Sequence, residues 1–223
     1  MGKRSYAVGE PVSATLSGGT PRVDFVTGAV GYRLRKGNAR GHPLVRACGI
    51  GTMPEAHIVD ATAGLGRDAF LLASMGNRVT LIERAPAVHA LLADGLARAK
   101  ADIGAAAAVG RMTLLLGDAK GLLPTLGADI VLVDPMHPPR GNTALVKQEM
   151  RLLRQLVGDD QDVLELMRVA LATARKRVVL KWPSPAPPLA GLPKPSHQIR
   201  GRTTRYEVFV ARATQPGEPV SSS

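Results

Sequence analysis

The sequence is poor in cysteine and in aromatic residues, and it contains no long apolar run. Cys48 is the single cysteine, which excludes an intramolecular disulfide and a thiolate metal cluster and favours a reducing, cytoplasmic setting. No stretch approaches the roughly 18 apolar residues of a membrane span, and no apolar segment follows the first charges, so neither an anchor nor a signal peptide is expected. The histidines lack metal-ligand spacing, so no metal is predicted. Apolar residues at 45% and charged residues at 21% indicate a globular domain with a sizeable core.

Positive charge is concentrated in two segments that flank a nearly neutral centre. Residues 1–56 carry eight basic and three acidic residues, and residues 175–212 carry nine and one. Residues 57–174 carry twelve and thirteen. Localised basic clusters attract polyanions by releasing condensed counterions, so nucleic acid is the predicted partner. A generally basic surface is the alternative, and no basic amphipathic helix points to a membrane.

The composition divides the chain into four segments. Residues 1–20 are rich in Gly, Ser, Thr and Pro and are expected to be flexible, and residues 213–223 are expected to form a disordered tail. Residues 21–56 are predicted to form a small subdomain with a hairpin over 23–34 and a short helix over 42–48. The remaining segment, 57–212, is predicted to be the main domain.

Strand and helix patterns alternate through this main domain. The predicted helices run from the glycine turn near residue 66 to 75, from 86 to about 99, over 143–157 and over 162–174. The predicted strands are 57–60, 78–83, 112–116, 130–133 and 177–181, followed by an antiparallel pair at 197–200 and 205–210. This alternation predicts an α/β, Rossmann-like fold with a mostly parallel seven-stranded sheet and a C-terminal antiparallel hairpin.

Four predicted strands end at or near a carboxylate, namely Asp60, Glu83, Asp118 and Asp134. In such sheets ligands bind beyond the carboxyl ends of the strands. Four carboxylates at one edge would repel one another unless a cationic or hydroxyl-rich ligand joins them. A single such aspartate is more often a turn or N-cap residue, but four are hard to explain as structure alone.

The strongest local motif is the segment 60–68, which reads DATAGLGRD. Gly64 and Gly66 permit a tight turn and a close backbone approach to a ligand. Thr62 replaces the first glycine of a dinucleotide motif, and Asp60 would repel a pyrophosphate. The ammonium and sulfonium of S-adenosylmethionine fit this position better. Glu83 could accept hydrogen bonds from ribose hydroxyls, as in NAD enzymes, and Asp118 is either an adenine contact or a turn residue.

The segment Asp134-Pro135-Met136-His137 resembles the (D/N)PP(Y/F) element of methyltransferases that act on amino groups. An exocyclic amino group of a base is a poor nucleophile, because its lone pair is delocalised into the ring. A carboxylate and a backbone carbonyl can accept its two N–H groups and orient the nitrogen. Asp134, Pro135 and His137 are therefore the predicted catalytic residues, with His137 stacking on a flipped base or relaying a proton.

Together these motifs resemble the bacterial ribosomal RNA small subunit methyltransferase J family of class I S-adenosylmethionine-dependent enzymes. The matching pieces lie between about residues 21 and 210 and include the segments 23–26, 60–70, 81–84, 134–136, 144–151 and 178–181. The resemblance implies methylation of guanine N2 near the 3′ end of 16S ribosomal RNA. It also implies a cofactor site lined by Arg67, Asp68, Glu83, Arg84, Asp118, Ala119 and Asp134, in addition to Asp60, Gly64 and Gly66.

Basic residues from both charged segments are predicted to bind phosphates of the RNA. They are Arg33, Arg35, Lys36, Arg40, Lys181, Arg200, Arg202 and Arg205. Three other functions remain open at this point: an amino-methyltransferase of another target such as adenine N6, an NAD-dependent dehydrogenase, and an RNA-binding protein without catalysis.

Overall fold

The computed structural model describes residues 22–26, 40–53, 55–135 and 162–211. Within them, seven strands form one sheet in the order β3-β2-β1-β4-β5-β7-β6. The strands are β1 His57–Asp60, β2 Arg78–Glu83, β3 Met112–Leu116, β4 Ile130–Val133, β5 Arg177–Pro183, β6 His197–Arg200 and β7 Thr204–Val210. The predicted fold class, including the C-terminal hairpin, is confirmed.

The first five strands are parallel, and β7 runs antiparallel to both β5 and β6. From β1 the sheet extends to β2 and β3 on one side and to β4 and β5 on the other. The strand order therefore reverses between β1 and β4. The crevice beyond their carboxyl ends is the place where ligands bind in open sheets of this kind.

Six helices, numbered within the described residues, cover the two faces of the sheet. They are α1 Pro43–Cys48, α2 Arg67–Ser74, α3 Pro86–Lys100, α4 Ala106–Val109, α5 Ala119–Leu126 and α6 Val163–Thr173. A short 3-10 helix, Ile50–Thr52, follows α1. Proline occupies the start of α1 and of α3, where its missing N–H costs no hydrogen bond. None of the described helices is both long and apolar enough to cross a membrane.

Two separate cores lie on the two faces of the sheet. Residues of α1, α2, α3 and α4 pack in the first core, and residues of α5 and α6 pack in the second. Side chains of a strand alternate between faces, so Ile58 belongs to the first core and Val59 to the second. The same alternation directs Asp60 to the face that α2 covers.

The residues before α1 differ in part from the prediction. Residues 22–26 form no strand, so the first arm of the predicted hairpin is absent, and the remainder of that hairpin lies outside the described residues. Val23 and Phe25 are instead buried in the first core, where the Phe25 ring stacks on Phe70 with centroids 4.8 Å apart. Apolar alternation suggested a strand here, but burial against helices produces the same pattern. The predicted helix 143–157 and both predicted flexible ends also lie outside the described residues.

Candidate active site

The ends of β1 and β4 are joined by hydrogen bonds at the point where the strand order reverses. Asp60, the last residue of β1, is 3% exposed, and its carboxylate accepts a hydrogen bond of 3.2 Å from the Thr62 N–H. The Thr62 hydroxyl accepts one of 2.7 Å from the backbone N–H of Asp134, directly after β4. The loop after β1 thus fixes the backbone position of the predicted catalytic aspartate.

The two glycines of the loop have different surroundings. Gly64 and Gly66 both adopt a positive φ, of +51° and +69°. A Cβ atom on Gly66 would lie 2.7 Å from Leu92 Cδ1, whereas one on Gly64 would meet only the Thr62 carbonyl oxygen, at 3.9 Å. Gly66 is therefore required by the packing of the core, and Gly64 leaves open space beside the loop.

Glu83, at the end of β2, holds the loop against the sheet. Its carboxylate accepts hydrogen bonds from the Gly64 N–H at 2.9 Å and from the Ala85 N–H at 2.8 Å. Burial raises the pKa of Glu83, and these N–H groups oppose that effect. Glu83 is thus a buried acceptor at the predicted ribose position.

Lys181 lies between two carboxylates of this edge. Its Nζ is 2.7 Å from Asp68 Oδ2, in the first turn of α2, and 2.7 Å from Asp134 Oδ2. The sequence analysis assigned Lys181 to phosphate binding because it lies in a basic segment. In the structure the ammonium is engaged by two carboxylates of the site, which does not favour that assignment, and a phosphate contact stays a prediction.

The ionisable groups around Lys181 have shifted pKa values. Burial, together with Asp68 and Asp134, raises the pKa of Asp60 to about 7. Burial alone would lower the pKa of Lys181, but Asp134 and Asp68 raise it well above its ordinary value. Burial also raises the pKa of Tyr206 and of the Cys48 thiol beside the cluster. Asp60 therefore binds a proton more readily than an ordinary aspartate does.

A second set of ion pairs lies beyond the end of β2. The Asp118 side chain caps α5 by accepting a hydrogen bond of 2.9 Å from the Lys120 N–H, and Ala119 is buried in the second core. Arg84 pairs with Asp162 at 3.1 Å, and Lys120 pairs with the same carboxylate at 2.6 Å. Asp118 thus has the structural role that the sequence left open, and its adenine contact, like the roles of Arg84 and Ala119, stays a prediction.

The predicted phosphate contacts differ in exposure. Arg205 is 5% exposed, and its guanidinium donates to the carbonyls of Pro183, Ser184 and Ala186 and to Glu207. Its predicted contact with RNA is therefore wrong, because the buried guanidinium instead donates hydrogen bonds to backbone carbonyls of the proline-rich loop after β5. The exposed members among the described residues are Arg40, Arg200 and Arg202. Arg33, Arg35, Lys36 and His137 lie outside those residues.

Exposed Arg67 begins α2, next to the glycine turn. Sequence reasoning gave no site role to Thr62, Tyr206 or Cys48. Thr62 stood inside the quoted motif, but its contact with Asp134 depends on the neighbouring strand. No group of three or more His, Cys, Asp or Glu within the described part of the chain could hold a metal ion.

The sheet order and the acidic carboxyl edge fit a class I S-adenosylmethionine-dependent methyltransferase. A family model of SAM-dependent methyltransferases matches residues 13–211. The structure resembles that of a SAM-dependent methyltransferase from Neisseria gonorrhoeae, with a TM-score of 0.70 and 35% identity, over 90% of this chain and 79% of that one.

Curated relatives narrow the class. A protein of Rhodopseudomonas palustris strain BisB5 is 65% identical, covering 84% of this chain and 86% of its own. A protein of Brucella anthropi is 63% identical, and the match covers 84% of this chain and 92% of that protein. A protein of Chromohalobacter salexigens is 46% identical, and the match covers 92% of this chain and 85% of that protein. All three are named ribosomal RNA small subunit methyltransferase J, and the chain belongs to this family.

The family uses S-adenosylmethionine as its methyl donor, and the described residues fit that cofactor. Asp60 and Glu83 are buried carboxylates at adjacent strand ends, and they suit an ammonium group and ribose hydroxyls. The open space at Gly64 admits a ligand close to the backbone. Because the family model matches residues 13–211, the NAD-dependent dehydrogenase that the sequence analysis left open is set aside.

Proposed function

We propose that the protein methylates the N2 amino group of a guanine near the 3′ end of 16S ribosomal RNA. The names of the relatives support ribosomal RNA as the substrate. The observation that carries the proposal is the position of Asp134, which lies beside buried Asp60 at the reversal of strand order and contacts Thr62 and Lys181. The choice of guanine N2 rests on the resemblance of the segment 134–136 to the family. Such an enzyme would work in the cytoplasm, where small subunits are made.

The residues of the site are suited to orient an exocyclic amine. The bound cofactor supplies an activated methyl group. The Asp134 carboxylate and the Pro135 carbonyl would accept the two N–H groups of the amine and so fix the direction of its lone pair. The nitrogen would gain the methyl group as the methyl–sulfur bond breaks, sulfur would keep the electron pair, and S-adenosylhomocysteine would leave as a neutral thioether. Asp134 would stabilise the positive charge that forms on the nitrogen. The nitrogen then loses one proton to water or to His137, and no strong base is needed before methylation because the charged nitrogen is acidic.

Three exposed arginines support an RNA surface next to this edge. The turn between β6 and β7 lies at the carboxyl end of β5, because Thr204 pairs with Pro183. Arg200 and Arg202 lie in or beside this turn. A Cβ atom on Gly201 would be 3.9 Å from Pro43, so the turn is close to the start of α1, which follows Arg40. These arginines would bind phosphates of RNA whose target base enters the site, with Arg33, Arg35 and Lys36 as further predicted contacts.

Transfer of a labelled methyl group to deproteinised 16S ribosomal RNA, small subunits and DNA tests the proposal. The wild type should label a ribosomal substrate, and mass mapping of the labelled RNA should identify N2-methylguanine. Labelling of DNA alone, or of adenine N6, would overturn the proposed target. RNA binding without turnover on any substrate would identify an inactive RNA-binding protein.

Asp134→Ala tests the central residue of the site. We expect turnover to fall by about 10²–10³, the effect of removing one preorganised electrostatic contact, while RNA affinity persists. Asp94→Ala is the matched control, because Asp94 is exposed on α3 and pairs with Arg98 away from the site. Near-normal turnover of the Asp134 variant would refute the role assigned to this carboxylate.

A further inference from the structure

The alternation and register of the strands bring Lys181 next to Asp134. In the parallel pair of β4 and β5, Val133 lies opposite Leu180, so the next residues along the two strands are Asp134 and Lys181. Both belong to the face on which Leu132 and Val179 enter the first core. Lys181 also lies opposite Tyr206 of antiparallel β7. The position of the ammonium is therefore fixed by the sheet and not by a flexible loop.

The contacts of Lys181 connect two parts of the site. Both Nζ–Oδ2 distances are 2.7 Å, the length of a charge-assisted hydrogen bond. The side chains are only partly exposed: 25% for Lys181, 24% for Asp68 and 35% for Asp134. Such shielding makes the attraction stronger than between fully exposed ions. One ammonium thus connects the first turn of α2, which follows the glycine loop, to the end of β4.

From this geometry we infer that Lys181 is a positioning residue: it holds the Asp134 carboxylate in place and ionised, and it couples that carboxylate to the cofactor loop through Asp68. The inference depends on the proposed function only for the identity of the group that Asp134 receives. The groups that face Lys181 are Asp68, Asp134 and Asp60, with Tyr206 and Cys48 beside them.

The charge balance explains why this cation is needed. Asp68 and Asp134 raise the pKa of buried Asp60, and Lys181 lowers it. Without the ammonium, three neighbouring carboxylates would repel one another with no cation between them. A protonated Asp134 would lose acceptor capacity for an amine. An ammonium that contacts two carboxylates also forms a group of net negative charge, which does not attract phosphate. A positioning role and a phosphate-binding role therefore predict opposite results.

Titration of Lys181→Met by carboxyl ¹³C NMR, in the protein without cofactor, provides the first test. We expect Asp134 to titrate at a pH at least one unit higher than in the wild type. The charge-preserving Lys181→Arg should restore most of the shift, and Lys181→Gln should behave like Lys181→Met if the latter folds poorly. Lys176→Met is the matched control, because Lys176 pairs with Asp129 at the opposite end of β5. An unchanged titration of Asp134 in both neutral variants would overturn the inference.

Kinetics and RNA binding provide the second test. A shift of one pKa unit reduces the ionised fraction about tenfold at a pH below the pKa. On the acid limb, kcat should therefore fall by about that factor in Lys181→Met, and the limb should move to higher pH. RNA affinity and its salt dependence should stay unchanged. A loss of RNA affinity with a shallower salt slope and a normal kcat would identify a phosphate contact instead. If the wild type methylated no substrate, the proposed function would fail, whereas the NMR titration would still decide the role of Lys181.

Discussion

Alanine substitutions at Gly64 and Gly66 should separate the structural from the ligand-binding requirement of the loop. In Gly66→Ala the left-handed backbone costs about 1 kcal/mol, and the new Cβ would lie 2.7 Å from Leu92 Cδ1 and 3.3 Å from Phe25 Cζ. Leu92 is fully buried, so this overpacking adds about 1–3 kcal/mol. We expect a total loss of about 2–4 kcal/mol. Gly64→Ala carries only the backbone cost of about 1 kcal/mol, because its surroundings are open.

Urea unfolding measures these differences in stability, and calorimetry with S-adenosylmethionine measures the affinity of each variant for the cofactor. The Gly64 variant should lose cofactor affinity out of proportion to its small loss of stability. Gly121→Ala is the control, since Gly121 lies inside α5 with no atom within 4 Å of its Cβ position, and this variant should be as stable as the wild type or more stable. Equal destabilisation by the two loop variants would refute the assignment of Gly66 to the core and Gly64 to the ligand.

Three further predictions concern buried groups. Because the pKa of Asp60 is raised to about 7, the native carboxyl retains a proton between about pH 4 and 7 that the unfolded one releases, so its contribution to stability falls as pH rises through this window. Asp60→Asn should therefore become more stable relative to the wild type from pH 5 to 8 in urea unfolding, while cofactor affinity falls. Arg205→Ala should lose about 3–5 kcal/mol, because it leaves Glu207 buried without its partner, whereas Arg202→Ala should change stability by less than about 0.5 kcal/mol and weaken RNA binding. Cys48 should react with a thiol reagent only after unfolding, because the thiol is buried and its pKa is raised, and rapid reaction of the native protein would contradict this.

The sheet was predictable because its strands are short apolar runs separated by turn residues. Two helices were not predicted. α4 has only four residues, and α5 contains Gly121 and Pro124, which argue against a helix when read locally. α5 forms nevertheless, because Asp118 caps its start and Leu123 is buried in the second core. Tertiary burial outweighed local propensity there.

The carboxylates of the site were predictable from the sequence, but the face of the sheet on which each basic side chain lies was not. Asp60 and Glu83 are recognisable as strand ends from the sequence alone. Lys181 and Arg205 were assigned by the charge of their segment, which does not show which face a side chain occupies. Strand alternation directs Lys181 to the face of Asp60 and Arg205 to the opposite one. Only the strand order shows that the first face holds carboxylates, and only the fold shows that the proline-rich loop covers Arg205.

Charges of opposite sign lie next to each other at one edge of the sheet. We expect this arrangement to give the cofactor and the RNA separate binding surfaces. The carboxyl edge of the sheet carries Asp60, Glu83 and Asp134, and Lys181 pairs with Asp134 and with Asp68, so this edge favours a cation and repels phosphate. The turn beside it presents Arg200 and Arg202, which favour phosphate. We therefore expect an RNA strand that binds along the turn to insert a neutral base at this edge and to keep its phosphates outside it. A protein surface of uniformly positive charge would bind RNA as strongly, but it would lose this discrimination at the reacting edge.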